Sequence, residues 1–167
     1  MKKRLSPTAE EPDEGAGEML AEESVVMNGD AATRDDAITE AGNLLLASGA
    51  VTQAYVDAMH EREKSVSTAM GNLLAIPHGT NEAKGEIRRT AISFVRYPGG
   101  LDWKGKEVKF VVGIAGAGKD HLPLLGKIAQ VFADKERVAE LEAAQSVSDV
   151  RRILGGVSVA KRANSST

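Results

Sequence analysis

The sequence predicts a single α/β domain in which a mixed, mostly parallel sheet is flanked by helices on both faces. Short apolar runs alternate along the chain with segments of helical period. Residues 108–115 are almost continuously apolar, which is typical of a strand buried on both faces. The length of 167 residues suits one domain, and alternating strands and helices are typical of a sheet between two helical layers.

The first elements follow from an apolar run and from capping signals. Residues 24–27 predict a short first strand. Thr33 is expected to cap the first helix, because Asp36 lies three residues on and forms an acidic version of the capping box. Gly49 is placed to end this helix, whose apolar stripe comprises Ile38, Ala41, Leu44 and Leu45. A second helix is predicted to begin at Thr52 and to carry along one side Tyr55, Val56 and Met59.

Three further strands are predicted in the middle of the chain. Residues 73–76 form a brief apolar run that leads into Pro77-His78-Gly79. Residues 91–97 and 108–115 are predicted strands. Between them, Pro98-Gly99-Gly100 and Lys104-Gly105 are turn signals.

The last third of the chain is predicted to be helical. A helix is expected over residues 120–132, where Pro123 is tolerated because it falls in the first turn. A short helix follows at residues 137–144. Ser146 is expected to cap the last helix with Asp149 three residues on, and Gly155-Gly156 closes it.

Both ends of the chain are expected to lie outside the domain. Residues 1–18 are rich in Pro, Glu and Gly and carry hardly any apolar side chain, so burial cannot offset the entropy of ordering them. We therefore expect a disordered tail at residues 1–18, a folded domain at residues 19–157 and a flexible tail at residues 158–167.

Composition argues against several functional classes. Lys and Arg total 21 against 24 for Asp and Glu, so a concentrated basic surface for nucleic acid is not expected. There is no cysteine, hence no disulfide framework, thiolate nucleophile or thiolate metal site. No apolar run approaches the roughly 20 residues that cross a bilayer, and the basic N-terminus lacks an apolar signal core. A cytoplasmic location is expected, without direct membrane insertion.

His78 is the candidate nucleophile among the three histidines of the chain. The apolar run before it should be buried and anchor the backbone, and Pro77 is expected to take the chain out of the sheet. Gly79 would let another molecule approach the ring, and the Thr80 hydroxyl could hold one ring nitrogen while leaving the other free. Such an imidazole suits attack on a phosphoryl group, although a turn histidine without a role fits the spacing equally well.

A wider pattern around His78 resembles the mannitol/fructose class of enzyme IIA in the bacterial sugar phosphotransferase system. The active-site signature of that class is matched by Glu63, Met70-Gly71 and Leu74-Ala75-Ile76-Pro77-His78-Gly79. The similarity continues in Arg62-Glu63-Lys64, His78-Gly79-Thr80, Glu82-Ala83-Lys84, Tyr97-Pro98 and Val112-Gly113-Ile114-Ala115. It covers about residues 20–157, and the stretch from His78 to Lys84 is similar to the mannitol branch.

The resemblance implies a phosphoryl carrier. His78 would accept a phosphoryl group from phospho-HPr through Nε2 and pass it to a cysteine of an enzyme IIB, for uptake of a sugar that is expected to be mannitol. Because this chain has no cysteine and no membrane span, it resembles a free-standing enzyme IIA that works with separate partners. No cofactor and no metal are expected.

The resemblance also implies that an arginine and a second histidine support the phosphoryl group. Arg62 matches the arginine, and it shares a helix face with Tyr55 and Met59, although spacing alone would favour a solvated surface arginine. His121 matches the second histidine and opens a helix, whose N-terminus favours an anion. It could instead simply pack at the helix start. His60 matches nothing in the family pattern and is interpreted as a structural or surface histidine.

Three alternatives remain open from the sequence. Residues 113–119 have the spacing of a P-loop between a strand and a helix, but Asp120 stands where Ser or Thr would hold magnesium. A regulatory phosphoprotein that resembles enzyme IIA but serves no transporter would use the same His78 chemistry. Metal binding is weakly indicated, because no second ligand lies at suitable spacing near His78.

Overall fold

A sheet of five strands forms the centre of the computed structural model, which describes residues 19–156. The strands are β1 Val25–Val26, β2 Ala69–Gly71, β3 Leu74–Ala75, β4 Ala91–Trp103 and β5 Lys106–Ala115. The helices are α1 Arg34–Ala47, α2 Gln53–Ser65, α3 His121–Ala133, α4 Lys135–Ala143 and α5 Val147–Ile153. Short 3-10 helices lie at Glu22–Ser24, Asn81–Glu86, Gly118–Asp120 and Leu154–Gly156. The expected tails, residues 1–18 and 158–167, lie outside the described residues and stay predictions.

The sheet is mixed, with the strand order β1-β4-β5-β3-β2. Pairing is parallel between β1 and β4 and between β3 and β5, and antiparallel between β4 and β5 and between β2 and β3. The α/β class and the mixed sheet are confirmed. Parallel pairing is less extensive than expected, because β4 and β5 are consecutive strands that join in one long antiparallel hairpin.

One of the two predicted turns between these strands is correct. Lys104 and Gly105 connect β4 to β5 with φ values of 57° and 92°, the left-handed backbone that a two-residue hairpin turn requires. The turn predicted at Pro98-Gly99-Gly100 is wrong, since β4 continues through these residues to Trp103. The pairing register shifts between Arg96 and Leu101, so Pro98 and its glycines form an irregularity within the strand, where proline is tolerated.

The two predicted N-caps, Thr33 and Ser146, are confirmed by their hydrogen bonds. The Thr33 hydroxyl accepts a hydrogen bond from the Asp36 amide at 3.1 Å, and the Ser146 hydroxyl accepts one from the Asp149 amide at 3.1 Å. Gly49 follows α1 with a φ of 81°. These short-range contacts define the beginnings of α1 and α5 and the end of α1.

Helices cover both faces of the sheet, as expected. One face packs against α1 and α2, where the sheet residues Val111 and Ala115 share a core with Ile38, Leu45 and Met59. The opposite face packs against α3, α4 and α5, where Phe110, Val112 and Ile114 share a core with Leu124, Ile128 and Phe132. Strand β5 is therefore buried on both sides, and its C-terminal end is contacted by Tyr55 of α2 and followed closely by His121 of α3.

Candidate active site

A cleft of about 880 Å³ opens beside the C-terminal ends of α2 and β3 and the N-terminus of α3. Its lining includes all three residues singled out from the sequence, Arg62, His78 and His121. The same cleft is lined by Lys84 and by the exposed side chain of Leu122. The fold thus brings the candidate nucleophile and both candidate supporting residues to one place, although their roles stay predictions.

The backbone at His78 is held against the sheet. His78 is 8% exposed and pairs with Ile114 of β5 in a parallel bridge. The Ile114 amide donates a 3.0 Å hydrogen bond to the carbonyl of Pro77. The chain therefore remains paired with β5 through His78 and does not leave the sheet at Pro77, because proline lacks only the amide donor and its carbonyl still accepts.

The hydrogen bond of the His78 ring determines its tautomer. Nδ1 of His78 lies 2.8 Å from the carbonyl oxygen of Ile76. A carbonyl can only accept, so Nδ1 carries the proton and Nε2 of the neutral ring keeps a free lone pair. The sequence suggested that the Thr80 hydroxyl would orient the ring, and this contact with Ile76 takes its place.

The surroundings of His78 favour the neutral ring. Burial lowers the pKa of His78, and the hydrogen bond to Ile76 opposes this shift. The positive charges of Arg62 and Lys84 lower the pKa further. The ring is consequently neutral near neutral pH, the form in which an imidazole nitrogen is nucleophilic.

His121 is the first residue of α3 and lies beside His78. The two ring centroids are 5.1 Å apart, and the ring planes are inclined by 55°. Burial lowers the pKa of His121 to about 4, and the proximity of His78, Lys84 and Arg62 contributes to the shift. A Cβ on Gly116 would lie 2.5 Å from the Cα of His121, so the close approach of α3 to the end of β5 requires glycine there.

Arg62 and His60 have different surroundings although both belong to α2. Arg62 is half-buried, lines the cleft and donates a 2.9 Å hydrogen bond from Nη1 to the carbonyl of Val66. Arg62 thus lies at the cleft as expected, and its role there stays a prediction. His60 lies on another side of α2, where its Nε2 is 2.8 Å from the hydroxyl of Thr39 in α1. This contact agrees with the structural interpretation of His60.

The glycine-rich loop after β5 is held by Thr90, the residue that precedes β4. Thr90 donates a 2.6 Å hydrogen bond to Asp120, and its hydroxyl accepts one from the Ala117 amide at 3.0 Å. A Cβ on Gly113 would lie 2.6 Å from the hydroxyl oxygen of Ser93, so this glycine is explained by packing. These contacts favour the interpretation of the loop as a strand-to-helix turn that positions His121. They argue against a phosphate-binding P-loop.

The match to known proteins extends over the whole described domain. Residues 18–156 match the family model described as "Phosphoenolpyruvate-dependent sugar phosphotransferase system, EIIA 2". The chain belongs to this enzyme IIA family. It is accordingly a phosphotransferase component, and the resemblance inferred from the residues around His78 is confirmed.

The relatives of this enzyme IIA include proteins named for mannitol and one named for nitrogen regulation. The mannitol-specific phosphotransferase enzyme IIA component of Staphylococcus aureus is 43% identical over 136 residues, which cover 81% of this chain and 94% of the relative. The Escherichia coli mannitol enzyme IIA, solved in complex with phosphorylated mannitol enzyme IIB, has a TM-score of 0.75 and 32% identity over 80% of this chain and 95% of its own. The nitrogen regulatory protein IIA-Ntr of Neisseria meningitidis has a TM-score of 0.69 and 26% identity over 83% and 97% of the two chains.

Sequence reasoning assigned no role to two charged residues at the enzyme IIA site. Lys84 lines the cleft, and its charge lowers the pKa of both His78 and His121. Glu63 is 2% exposed and accepts hydrogen bonds from the amide and hydroxyl of Thr68 and from Nε1 of Trp103. Both residues stand in the motifs that carried the resemblance, which is the signal that could have identified them.

Residues 19–156 contain neither a candidate metal cluster nor a candidate membrane-spanning helix. Within this part of the chain, no group of three or more histidine or carboxylate side chains is arranged to hold a metal ion. None of its helices combines the length and the apolar character needed to cross a membrane.

Proposed function

We propose that this enzyme IIA carries a phosphoryl group on Nε2 of His78, accepts it from phospho-HPr and passes it to a cysteine of an enzyme IIB. The observation that carries the proposal is the hydrogen bond between Nδ1 of His78 and the carbonyl of Ile76. It leaves Nε2 as the unprotonated nitrogen of a ring that lines an open cleft.

Each transfer exchanges one bond to phosphorus for another. In the first, the Nε2 lone pair of His78 forms a bond to phosphorus as the bond to the donor breaks, and that electron pair leaves with the donor. In the second, a cysteine thiolate of enzyme IIB bonds to phosphorus, and the electron pair of the broken phosphorus–nitrogen bond returns to Nε2. Nδ1 keeps its proton throughout because the Ile76 carbonyl holds it, which makes the ring a better leaving group in the second step.

The remaining charges of the cleft suit a phosphoryl group. Phosphorylation adds close to two negative charges near neutral pH, and phosphoryl transfer is catalysed mainly by positioning and charge stabilisation. Arg62 and Lys84 line the same cleft as His78, and their positive charges lower its pKa. His121, 5.1 Å from His78 between ring centroids, supplies a hydrogen-bond donor and binds a proton more readily once the phosphoryl group is in place.

Mannitol uptake is the transport process that the relatives favour. The Staphylococcus aureus relative, at 43% identity, is named mannitol-specific, and the Escherichia coli enzyme IIA was solved with phosphorylated enzyme IIB. We propose that this chain works in the cytoplasm with HPr as donor and a separate mannitol-type enzyme IIB as acceptor.

The decisive experiment is to incubate the protein with enzyme I, HPr and phosphoenolpyruvate and then to map the phosphorylated residue. We expect one phosphoryl group on His78, none in His78→Ala, and normal labelling in the matched control His60→Ala. Onward transfer to a mannitol-type and a fructose-type enzyme IIB then identifies the acceptor. Labelling that persists in a folded His78→Ala variant would contradict the proposal.

A regulatory role is the second candidate, because the nitrogen regulatory protein IIA-Ntr shares this fold at 26% identity. The phosphorylation of His78 would be the same in both cases. The two roles separate at the next step: a transport component loses its phosphoryl group to enzyme IIB within the assay, whereas a regulatory protein keeps it.

A further inference from the structure

The hydroxyl of Tyr55 connects the chain just after His78 to strand β5. Tyr55 belongs to α2 and is 2% exposed. Its hydroxyl accepts a 2.9 Å hydrogen bond from the amide of Gly79 and donates a 2.8 Å hydrogen bond to the carbonyl of Ile114. Both hydrogen-bonding capacities of a buried hydroxyl are thus used on backbone groups that flank or face His78.

These two hydrogen bonds involve both backbone groups of one rung in the parallel bridge between His78 and Ile114. The Ile114 amide donates to the Pro77 carbonyl, and in a parallel ladder the next bond would run from the Gly79 amide to the Ile114 carbonyl. The Tyr55 hydroxyl lies between these two groups and bonds to each. It therefore leaves neither backbone group unsatisfied at the place where the pairing of the His78 segment with β5 ends.

The ring of Tyr55 also explains Gly79. A Cβ at Gly79 would lie 2.5 Å from Cε1 of Tyr55, so the absence of a side chain makes room for this ring. Gly79 also lines the cleft beside His78, so the expectation that it admits another molecule to the ring stays a prediction. Arg62 lies two turns further along the same helix. Helix α2 therefore carries both Tyr55, which contacts Gly79, and the arginine that lines the cleft.

We propose that Tyr55 is a positioning residue for His78. The Tyr55 hydroxyl holds the backbone on the C-terminal side of the imidazole, so that the ring keeps its bond to the Ile76 carbonyl and presents Nε2 to the cleft. This inference rests on the proposed phosphoryl transfer at His78. Tyr55 touches no reacting atom, and its effect is exerted through the Gly79 amide and the Ile114 carbonyl.

The test compares Tyr55→Phe with Tyr97→Phe. Each variant keeps a buried ring and removes one hydroxyl, but the Tyr97 hydroxyl donates to Glu40 rather than to the backbone beside His78. We expect Tyr55→Phe to lower the transfer rate at saturating phospho-HPr by about ten- to a hundredfold, since small misplacements of a reacting group are costly, with KM nearly unchanged. Tyr97→Phe should stay within about twofold of the parent.

The ¹⁵N spectrum of the histidine rings supplies a measurement that a purely structural role would not change. In Tyr55→Phe, the signals of His78 should show a mixture of tautomers or a shifted pKa, while those of Tyr97→Phe match the parent. An unchanged His78 spectrum, an unchanged transfer rate, or an equal loss of rate in Tyr97→Phe would overturn the inference.

Two further features keep the test decisive. If Tyr55→Phe does not fold, amide exchange in the parent protein still reports on the contact: the Gly79 amide should be protected, and exchange at the rate of a free amide would overturn the inference. The ring spectrum needs no phosphoryl donor, so it tests Tyr55 even if His78 proves not to be phosphorylated, which is the separate failure of the proposed function.

Discussion

Replacing the buried Glu63 by alanine should lower the free energy of unfolding by about 3 kcal/mol. The Glu63 carboxylate accepts hydrogen bonds of 2.8 Å and 2.6 Å from the amide and hydroxyl of Thr68 and one of 2.9 Å from Nε1 of Trp103. Alanine would leave the amide of Thr68 and Nε1 of Trp103 without a partner. These residues are 5% and 0% exposed, and each unpaired buried donor costs about 1–3 kcal/mol. Relief of the cost of burying a carboxylate offsets part of this sum.

The variant Glu63→Gln separates the charge from the hydrogen bonds. Its carbonyl can accept from the Thr68 amide and from Trp103, and its NH₂ group can donate to the Thr68 hydroxyl, which also accepts. Three charge-assisted hydrogen bonds then become neutral ones. The expected loss is about 1 kcal/mol, well below that of Glu63→Ala.

Urea unfolding followed by fluorescence measures both losses, because Trp103 is the sole tryptophan of the chain and contacts Glu63 directly. Glu61→Ala is the matched control on the same helix. The Glu61 side chain is 69% exposed and forms only a 4.0 Å pair with Lys64, so its loss should change stability by less than about 0.5 kcal/mol. The reasoning is refuted if Glu63→Ala lies within about 1 kcal/mol of the parent, or if Glu63→Gln is as unstable as Glu63→Ala.

Three other predictions concern the cleft. The pKa of His121 is lowered from 6.5 to about 4 in the folded protein, so below pH 6.5 the unfolded chain binds more protons at this residue than the folded chain. The free energy of unfolding should therefore fall as the pH is lowered from 6.5 to about 4. In urea titrations at several pH values, His121→Gln should reduce that fall by roughly 1 kcal/mol, a small amount because solvent screens a half-buried group. The same dependence of the free energy of unfolding on pH in parent and variant would contradict this. Arg62→Lys keeps the charge but loses the planar fork of the guanidinium, so transfer from phospho-HPr should slow about tenfold. Arg62→Ala should slow it about 100- to 1,000-fold. Equal transfer rates for these two variants would argue against a positioned guanidinium. Gly116→Ala would place a Cβ 2.5 Å from the Cα of His121, and we expect a loss of about 1–3 kcal/mol in urea unfolding and slower transfer, which a variant as stable and active as the parent would disprove.

The ends of helices were predictable from the sequence, and one turn between strands was not. Thr33 and Ser146 cap their helices through contacts three residues away, so the signal and its cause lie within one stretch of chain. Pro98-Gly99-Gly100 carries an equally strong local signal, yet β4 continues through it because strand β5 supplies pairing partners on either side of the irregularity. Long-range pairing thus overrode a turn signal that was read in isolation.

The candidate site divides in a similar way. The motif around His78, together with Arg62 and His121, was identified from the sequence, and the fold brings these three residues to one cleft. Their catalytic roles stay predictions. The structure changes the reasons offered for the neighbours of His78: Ile76 rather than Thr80 orients the ring, and Gly79, which lines the cleft, also makes room for the ring of Tyr55.

The sequence by itself determined the family, the nucleophile candidate and the helix caps, because each is written in neighbouring residues or in a motif. The tertiary structure was needed to see which ring nitrogen of His78 is free, since the sequence does not show that Nδ1 bonds to the carbonyl of Ile76 rather than to the Thr80 hydroxyl. It also decided the burial of Glu63, whose partner Trp103 is 40 residues away in sequence. Hydrogen bonds of buried groups must be satisfied by whatever atoms the fold brings near, and for Glu63 one of those partners, Trp103, comes from a distant part of the chain.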